Sequence, residues 1–382
     1  MAFAQGRRCM ACGVLAGVLA DMPLAGAGRQ WHCLNSNDEA QRFPALNMDT
    51  MKSSAAPPTM QQVARAAGVA RSTVSRAFTK PGMLSTETVA QIKSVAASLG
   101  YVPNQVARAL STGRHGNVAL IVPDVANPFF PPLIRAVEAA ADAAGMCIFL
   151  GDSDEDPARE ARLVGKLSAQ VDGLILASCR LAEGAIQALS GRLPIVLINR
   201  DVAGMDRVLI DSAPGVAAAV RHLHELGHRC VAYLAGPVSS WSNERRRIAV
   251  LDTAQESGLE VIQIAPRRPS YEGGMAAATI VRSTRATAVI AFDDLVAQGL
   301  LAGMARMGVH APAGISVVGC DDVLASRTYP ALTTIASRPE LAGRMAMEVL
   351  LEQLAAGKSS GAAHMLNTEL IIRATTGLPL LR

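Results

Sequence analysis

Seven short apolar runs recur along the chain: Val118–Val122, Met146–Leu150, Gly173–Ala177, Ile195–Asn199, Val231–Ala235, Ala288–Phe292 and Ile315–Gly319. Each has the length of a strand, and none alternates with polar residues, so both faces of such strands must be buried. The stretches between them are long enough for helices. That alternation predicts a doubly wound α/β arrangement, in which ligands sit beyond the carboxyl ends of the strands. Polar clusters fall at those ends. Asp124, Asn127 and Phe129 follow the first run, Asp152-Ser153 the second, Asn199-Arg200 the fourth, and Phe292-Asp293-Asp294 the sixth.

Composition supports a packed core. Half of the 382 residues are hydrophobic and only 3% are aromatic, so Ala, Val, Leu and Ile must fill the interior. Fibrous and disordered classes are excluded. The length suits a small domain beside a bilobed one. The net charge of +4 is unevenly placed. Between residues 58 and 114, Arg65, Arg71, Arg76, Lys80, Lys93, Arg108 and Arg114 face one acid, Glu87, whereas residues 115–382 are mildly acidic. A compact basic module on an acidic body is the footprint of a protein that meets phosphate in one place.

Cys9, Cys12, Cys33, Cys147, Cys179, Cys230 and Cys320 are scattered and odd in number, which fits reduced, buried thiols in a cytoplasmic protein. Cys9-x-x-Cys12 has no second pair at finger spacing, so neither a metal nor another cofactor is expected. Arg7-Arg8 and the apolar run Cys9–Ala20 imitate a secretory signal. Asp21 breaks that run, which is too short to span a membrane, and no other stretch reads as transmembrane. Residues 1–57 are expected to be a disordered or over-long leader, with Met48 or Met51 as the working start.

The basic module has the grammar of three helices. Thr59 and Gln62 form a capping box, and Val63, Ala66 and Ala67 make an inward stripe. Gly68 permits a left-handed turn. A second helix then offers Val69, Val74 and Phe78 to the first and keeps Arg71, Ser72, Ser75 and Arg76 outside. Ser85 caps a third, with Val89, Ile92, Ala96 and Leu99 at helical spacing and Gly100 as the stop.

These residues closely resemble the lactose-repressor/galactose-repressor (LacI/GalR) family. The resemblance is carried by Val63-Ala64-x-x-Ala67-Gly68-Val69-x-x-x-Thr73-Val74-Ser75-Arg76 and by Gly100-Tyr101-x-Pro103-Asn104-x-x-Ala107-x-x-Leu110, and it extends over residues 58–382. It implies a helix-turn-helix DNA-binding domain at 58–102, a hinge helix and linker at 103–115, and a bilobed, periplasmic-binding-protein-like sensing domain at 116–382 built of two parallel-sheet subdomains. It also implies a homodimer on double-stranded operator DNA and a small sugar-like effector. By position, Arg71, Ser72 and Arg76 would face base edges, and Arg is the best reader of guanine. Thr73 and Ser75 would bond phosphates. Asn104, Ala107 and Leu110 would form the hinge, with Leu110 wedged into a minor-groove step.

In the sensing domain, Arg246, Asp294 and Phe129 match effector-binding positions, with Asp124, Asn127 and Asp211 as weaker candidates. Chain order and the resemblance imply crossings between lobes near Ser212, in 322–337 and in 357–365. The sequence departs from the family at Gln62, Ala70, Ala249, Val250 and Asp293, the last standing where relatives carry Asn. Asp321-Asp322 reads as a structural turn, and His222, His224 and His228 as a solvated helix face and its end.

Two other functions compete. Catalysis lacks a vehicle: there is no Gly-x-Gly-x-x-Gly, and Gly357-Lys358-Ser359 has Glu352 where a phosphate loop needs glycine. No nucleophile–base arrangement follows a strand, so no enzyme is expected. A periplasmic solute receptor would share the sensing fold, but it has no use for residues 58–113. A DNA-binding regulator, with repression as the default, is the expectation that remains.

Overall fold

The computed structural model describes residues 58–102 and 113–380. The expectations for residues 1–57 and for Asn104, Ala107 and Leu110 lie outside the described residues.

The basic module is three α-helices: α1 (Met60–Ala66), α2 (Arg71–Thr79) and α3 (Thr86–Ser98). Gly68 takes the left-handed conformation, φ +68°, and turns the chain between the first two. Ala70 precedes α2 without a side-chain cap, while Ser85 Oγ accepts from the Thr88 N–H and caps α3. Val63, Ala64, Ala67, Val74, Ala77, Ile92 and Ala96 form the core. Three expected positions are not in it: Ala66 and Leu99 are exposed and Val89 is half-buried outside the core, while Ala64 and Val95 pack there. Val63 and Ala67 face inward as expected, and the third inward position on α1 is Ala64 rather than Ala66.

The remaining chain forms two six-stranded sheets. The first lobe has β1 (Asn117–Val122), β2 (Cys147–Asp152), β3 (Gly173–Ala177), β4 (Ile195–Ile198), β5 (Asp206–Asp211) and β11 (Ala363–Asn367), ordered β11-β5-β4-β3-β1-β2 and all parallel. The second has β6 (Cys230–Leu234), β7 (Glu260–Ile264), β8 (Ala288–Ala291), β9 (Ser316–Asp321), β10 (Thr333–Ala336) and β12 (Glu369–Ile371), ordered β12-β10-β9-β8-β6-β7. Only β12 is antiparallel to its neighbour.

Helices α4 (Phe130–Ala143), α5 (Pro157–Leu167), α6 (Glu183–Ser190) and α11 (Pro339–Ala356) cover the first sheet. The second carries α7 (Ala213–Glu225), α8 (Trp241–Glu256), α9 (Tyr271–Ser283) and α10 (Asp294–Arg306). Strand β1 shows why the runs do not alternate: Val118, Leu120 and Val122 pack with α4 and α11, and Ala119 and Ile121 pack on the other face.

All seven expected strands are present, with ends shifted by one or two residues. The strands not anticipated are short, polar at an end, or at an edge. The chain changes sheet at Ser212, at Ser337-Arg338 and at Thr368. The third crossing lies beyond the expected 357–365, because that stretch leads into β11, which pairs with β5 in the first lobe. Thr368 Oγ1 donates to the Asp211 carbonyl at 2.9 Å and accepts from the Gly215 N–H at 3.3 Å, so two crossings are tied side by side.

Two of the three histidines, His222 and His228, are not on a solvated face. His228 is buried, with its ring nitrogens bonded to Thr287 and Ser316, and His222 meets Thr376 Oγ1 at 3.0 Å. Burial lowers the pKa of both, and their contacts with Thr376 and the Gly377 carbonyl pin the C-terminal segment. Cys179, Cys230 and Cys320 are buried as expected, but Cys147 is exposed at the start of edge strand β2.

The base of the first lobe is held by Asp206. Its carboxylate accepts from Gln353 Nε2, Ser359 Oγ, and the Ser360 and Ala362 backbone N–H groups, and from Ser360 Oγ. Burial alone would raise its pKa, but these donors outweigh it and hold the group down at about 2. A carboxyl with a depressed folded pKa stabilises above its unfolded value, about 3.9, and loses that contribution as pH falls through the folded one. Asp206→Ala should therefore cost roughly 3 kcal/mol in urea unfolding at neutral pH, because several buried donors lose their acceptor. The gap between wild type and variant should narrow as the pH is taken from about 4 toward 2. A pH-independent gap would refute this role.

Candidate ligand cleft and DNA-reading face

A cleft with about 400 Å³ of empty space, part of it open to solvent, separates the lobes. Its polar groups stand at the carboxyl ends of parallel strands. The first lobe contributes Asn127 and Phe129 after β1, Glu155 after β2, Ser178 and Arg180 after β3, and Asn199 after β4. The second contributes Ser240, Ser242 and Arg246 from the start of α8, Phe292 and Asp293 after β8, and Asp321 at the end of β9. Glu155, Ser178, Asn199 and Asp321 all have positive φ, between 48° and 135°. Such backbone is costly for residues with a Cβ and is sustained by the packing around it. Here it turns each strand end toward the cleft.

Arg246 organises the second lobe's wall. Ser240 Oγ caps α8 by accepting from the Asn243 N–H, and Asn243 Oδ1 accepts from Tyr233 Oη at 2.9 Å and from the Gly236 N–H at 2.7 Å. These bonds fix the first turn of the helix against β6. Gly236 is needed there, because a Cβ would collide with the Phe292 ring. The Arg246 guanidinium lies over that ring, 4.9 Å from its centroid, a cation–π contact in a buried site. Nη1 donates to the Phe292 carbonyl, and Nη2 reaches Asp321 Oδ1 at 3.4 Å. Nε is buried and has no hydrogen-bond partner among the described residues, which leaves a donor for a ligand oxygen.

The opposite wall holds Arg180 and Glu155 in a bidentate pair at 2.7 and 3.2 Å. Phe129 is buried beside it and meets Phe130 edge-on at 5.0 Å between centroids, so it can present an apolar surface to a ring.

The structure brings Asn127, Phe129 and Arg246 together on the walls of one cleft. It places three other candidates elsewhere. Asp124 accepts from the Ala126 N–H at 2.8 Å and shapes the turn after β1. Asp211 pairs with Arg245 at 3.1 Å beside the first crossing. Asp294 is buried behind the cleft, accepting from Thr334 Oγ1 at 2.5 Å and from the Asp322 N–H at 2.9 Å. The cleft's acid on this helix is Asp293, the residue before it. Asp321, expected to be part of a plain turn, is a second cleft acid and the partner of Arg246. Arg180, Glu155 and Ser178 had gone unnoticed, although their position just past strand ends was the available signal.

Burial raises the pKa of Asp293, Asp294 and Asp321; repulsion from Glu155 adds to it at Asp293, from Asp293 and Asp322 at Asp294, and from Asp293 and Asp294 at Asp321, while Arg246 opposes the shift for Asp293 and Asp321. Asp293 is raised to about 6 and Asp294 to about 7. Carboxyls with raised folded pKa values favour folding in acid, and that contribution is lost as pH rises through those values. Asp294→Asn keeps both bonds if the Thr334 hydroxyl reverses. It should shrink the loss of melting temperature between about pH 5 and pH 8 relative to wild type. An unchanged pH profile would remove Asp294 from the cluster.

On the basic module, Arg71, Ser72 and Arg76 are exposed along one face of α2, and Thr73 and Ser75 are half-buried at its border. Val74 and Ala77 anchor the opposite face in the core. Phe78 packs on Tyr101 at 6.0 Å between ring centroids, closing the core below.

A helix-turn-helix with an exposed basic face, followed by a two-lobed domain with a buried, charged cleft, defines a ligand-sensing DNA-binding protein. Residues 59–104 match the family described as bacterial regulatory proteins, lacI family, and residues 220–376 match the periplasmic binding protein-like domain. The HTH-type transcriptional regulator DegA of Bacillus subtilis is 32% identical over 289 residues, 73% of this chain and 86% of that protein. Among solved structures, the lac repressor dimer bound to operator and the anti-inducer ONPF aligns with a TM-score of 0.75 at 27% identity, covering 84% of this chain and all of that one. The complex of the transcriptional regulator CelR with cellobiose aligns with a TM-score of 0.63 at 28% identity, covering 83% and 99%. The chain belongs to the lacI family of bacterial transcriptional regulators.

Proposed function

We propose that this protein binds a near-palindromic operator as a homodimer through α2, and that an uncharged, sugar-like effector in the interlobe cleft changes its operator affinity. The observation that carries this is the Arg246 site: a buried guanidinium with a spare donor, flanked by Asp293, Asp321 and two aromatic rings. Carboxylates accept from hydroxyls, Arg donates in a fork, and aromatic faces cover the apolar side of a ring. The lac repressor's dimer on its operator and CelR's cellobiose complex support the same assignment.

Charge narrows the effector. Each cleft guanidinium already faces a carboxylate, Arg180 with Glu155 and Arg246 with Asp321, and Asp293 adds a third acid without a cation of its own. A sugar acid or sugar phosphate would bring a further negative charge into a site with no cation to spare. A neutral polyol does not.

In this scheme Arg71, Ser72 and Arg76 read base edges, and Thr73 and Ser75 contact phosphates. Asn104, Ala107 and Leu110 form the hinge. Repression is the default output, and the protein works in the cytoplasm, where the DNA is. The role is regulatory rather than catalytic. Effector and operator change each other's affinity by the same factor.

Selection of bound duplexes from a random pool should enrich a near-palindrome. Arg76→Ala should then relax preference at one position per half-site, at about 1–3 kcal/mol. Uniform weakening on every sequence would make Arg76 a phosphate contact instead. With the selected site in hand, neutral mono- and disaccharides should shift operator affinity, while the matching uronates and phosphates should not. Arg246→Ala should erase the shift. Binding of the anionic sugars in preference to the neutral ones would overturn the charge argument.

A further inference from the structure

Besides the Arg245–Asp211 pair beside the first crossing, two polar contacts among the described residues run from one lobe to the other. At the cleft rim, Arg268 Nη2 meets Asp154 Oδ1 at 2.8 Å, but both side chains are exposed and salt screens such pairs. Deeper in, Asn127 Nδ2 of the first lobe donates to Asp293 Oδ2 of the second at 3.1 Å, and Asp293 is fully buried.

Both partners of the deeper bond are oriented from behind. Asn127 Oδ1 accepts from the Phe129 N–H at 3.0 Å, so its amide nitrogen has to face the other lobe. Asp293 Oδ1 accepts from the Val296 N–H at 2.8 Å as the cap of α10, so only Oδ2 is left to face Asn127. Neither group can flip without giving up a backbone bond. A donor and an acceptor are thus set opposite each other across the cleft by two separate elements.

We propose that the Asn127–Asp293 bond is a latch that holds the two lobes together without help from a ligand and sets the lobe orientation from which the effector works. The proposal rests on the two-lobed sensor described above and deepens it. A ligand shifts a two-state equilibrium only by its differential affinity for the two states. The strength of the latch therefore decides how much effector binding is needed to change the output. The latch atoms are also recognition atoms. A hydroxyl entering between them donates to Asp293 Oδ2 and accepts from Asn127 Nδ2, replacing a direct bond with a bridged one at wider separation.

Isosteric exchanges test the latch. In Asp293→Asn, Oδ1 must still accept from Val296, so the new amide nitrogen faces the amide nitrogen of Asn127, donor against donor. In Asn127→Asp, one oxygen must still accept from Phe129, so two carboxylates face each other. The double variant N127D/D293N restores one donor and one acceptor with their places exchanged. The full-length wild type, both single variants and the double variant are compared without effector or DNA. Small-angle X-ray scattering reports the radius of gyration, and hydrogen exchange reports protection in peptides spanning 127–133 and 292–298. Each single variant should expand the protein and speed exchange in both peptides, and the double variant should return both readouts toward wild type. Single variants indistinguishable from wild type, or a double variant more open than either, would overturn the latch. Neither result bears on whether an effector binds or an operator is read, so the sensor assignment would stand or fall separately.

Discussion

Parallel sheets buried on both faces have almost nowhere to keep charge. Backbone hydrogen bonds are satisfied inside the sheet, side chains on either face meet apolar helices, and an ion stripped of water there would cost several kcal/mol. The strand ends are the exception. In both lobes the polar residues lie past the carboxyl ends of the central strands, and the two lobes turn those ends toward each other. The cleft is thus where this architecture can hold a buried guanidinium. Arg246 is tolerable only because the Phe292 ring and carbonyl and Asp321 surround it.

The architecture also explains how a signal could leave the cleft. The lobes are joined by three short crossings; Thr368 of the third donates to the Asp211 carbonyl beside the first, and Ser337 of the second donates to the Asp321 carbonyl at 3.1 Å. A residue lining the cleft is therefore itself bonded to a crossing. A change in how Asp321 is engaged reaches the segment about which the lobes turn, with no chain of intermediates required. The DNA-reading helices have their own core of small residues, so they can be reoriented as a unit without being unfolded.

The fold was largely legible because the strongest signal, uninterrupted apolar runs, is the one that burial on both faces produces. What escaped was local. β5 opens on Asp206 and Arg207, whose polarity hides a strand that is nonetheless paired on both edges. β7 is a half-exposed edge strand, and β12 is three residues long. The site was legible in part. Asn127, Phe129 and Arg246 were reachable by position, but the Asp293/Asp294 choice was not. Which of two adjacent acids faces the cleft is decided by the cap of α10: Asp293 bonds Val296 and so sits at the cleft edge, and Asp294 turns back onto Thr334 and Asp322. No periodicity encodes that. Asp321 was missed for a related reason, since its partner Arg246 lies 75 residues earlier on another element.

Two buried aspartates show how one residue type serves opposite ends of the same lobed body. Asp206 gathers donors from a helix, a loop and its own strand's surroundings, enough to overcome burial and keep it ionised far into acid. It fastens the lobe's base in one arrangement. Asp293 has one backbone donor and one amide from the opposite lobe, too little to compensate for burial, so its pKa moves the other way. A carboxylate so sparsely bonded gains more from an incoming hydroxyl than a saturated one does, since each added donor relieves a larger unmet demand. Rigidity at the base and unmet hydrogen-bonding capacity at the cleft follow from the same accounting of donors. A sensor needs both, because a lobe that deformed at its base would absorb the displacement that ligand binding is meant to transmit.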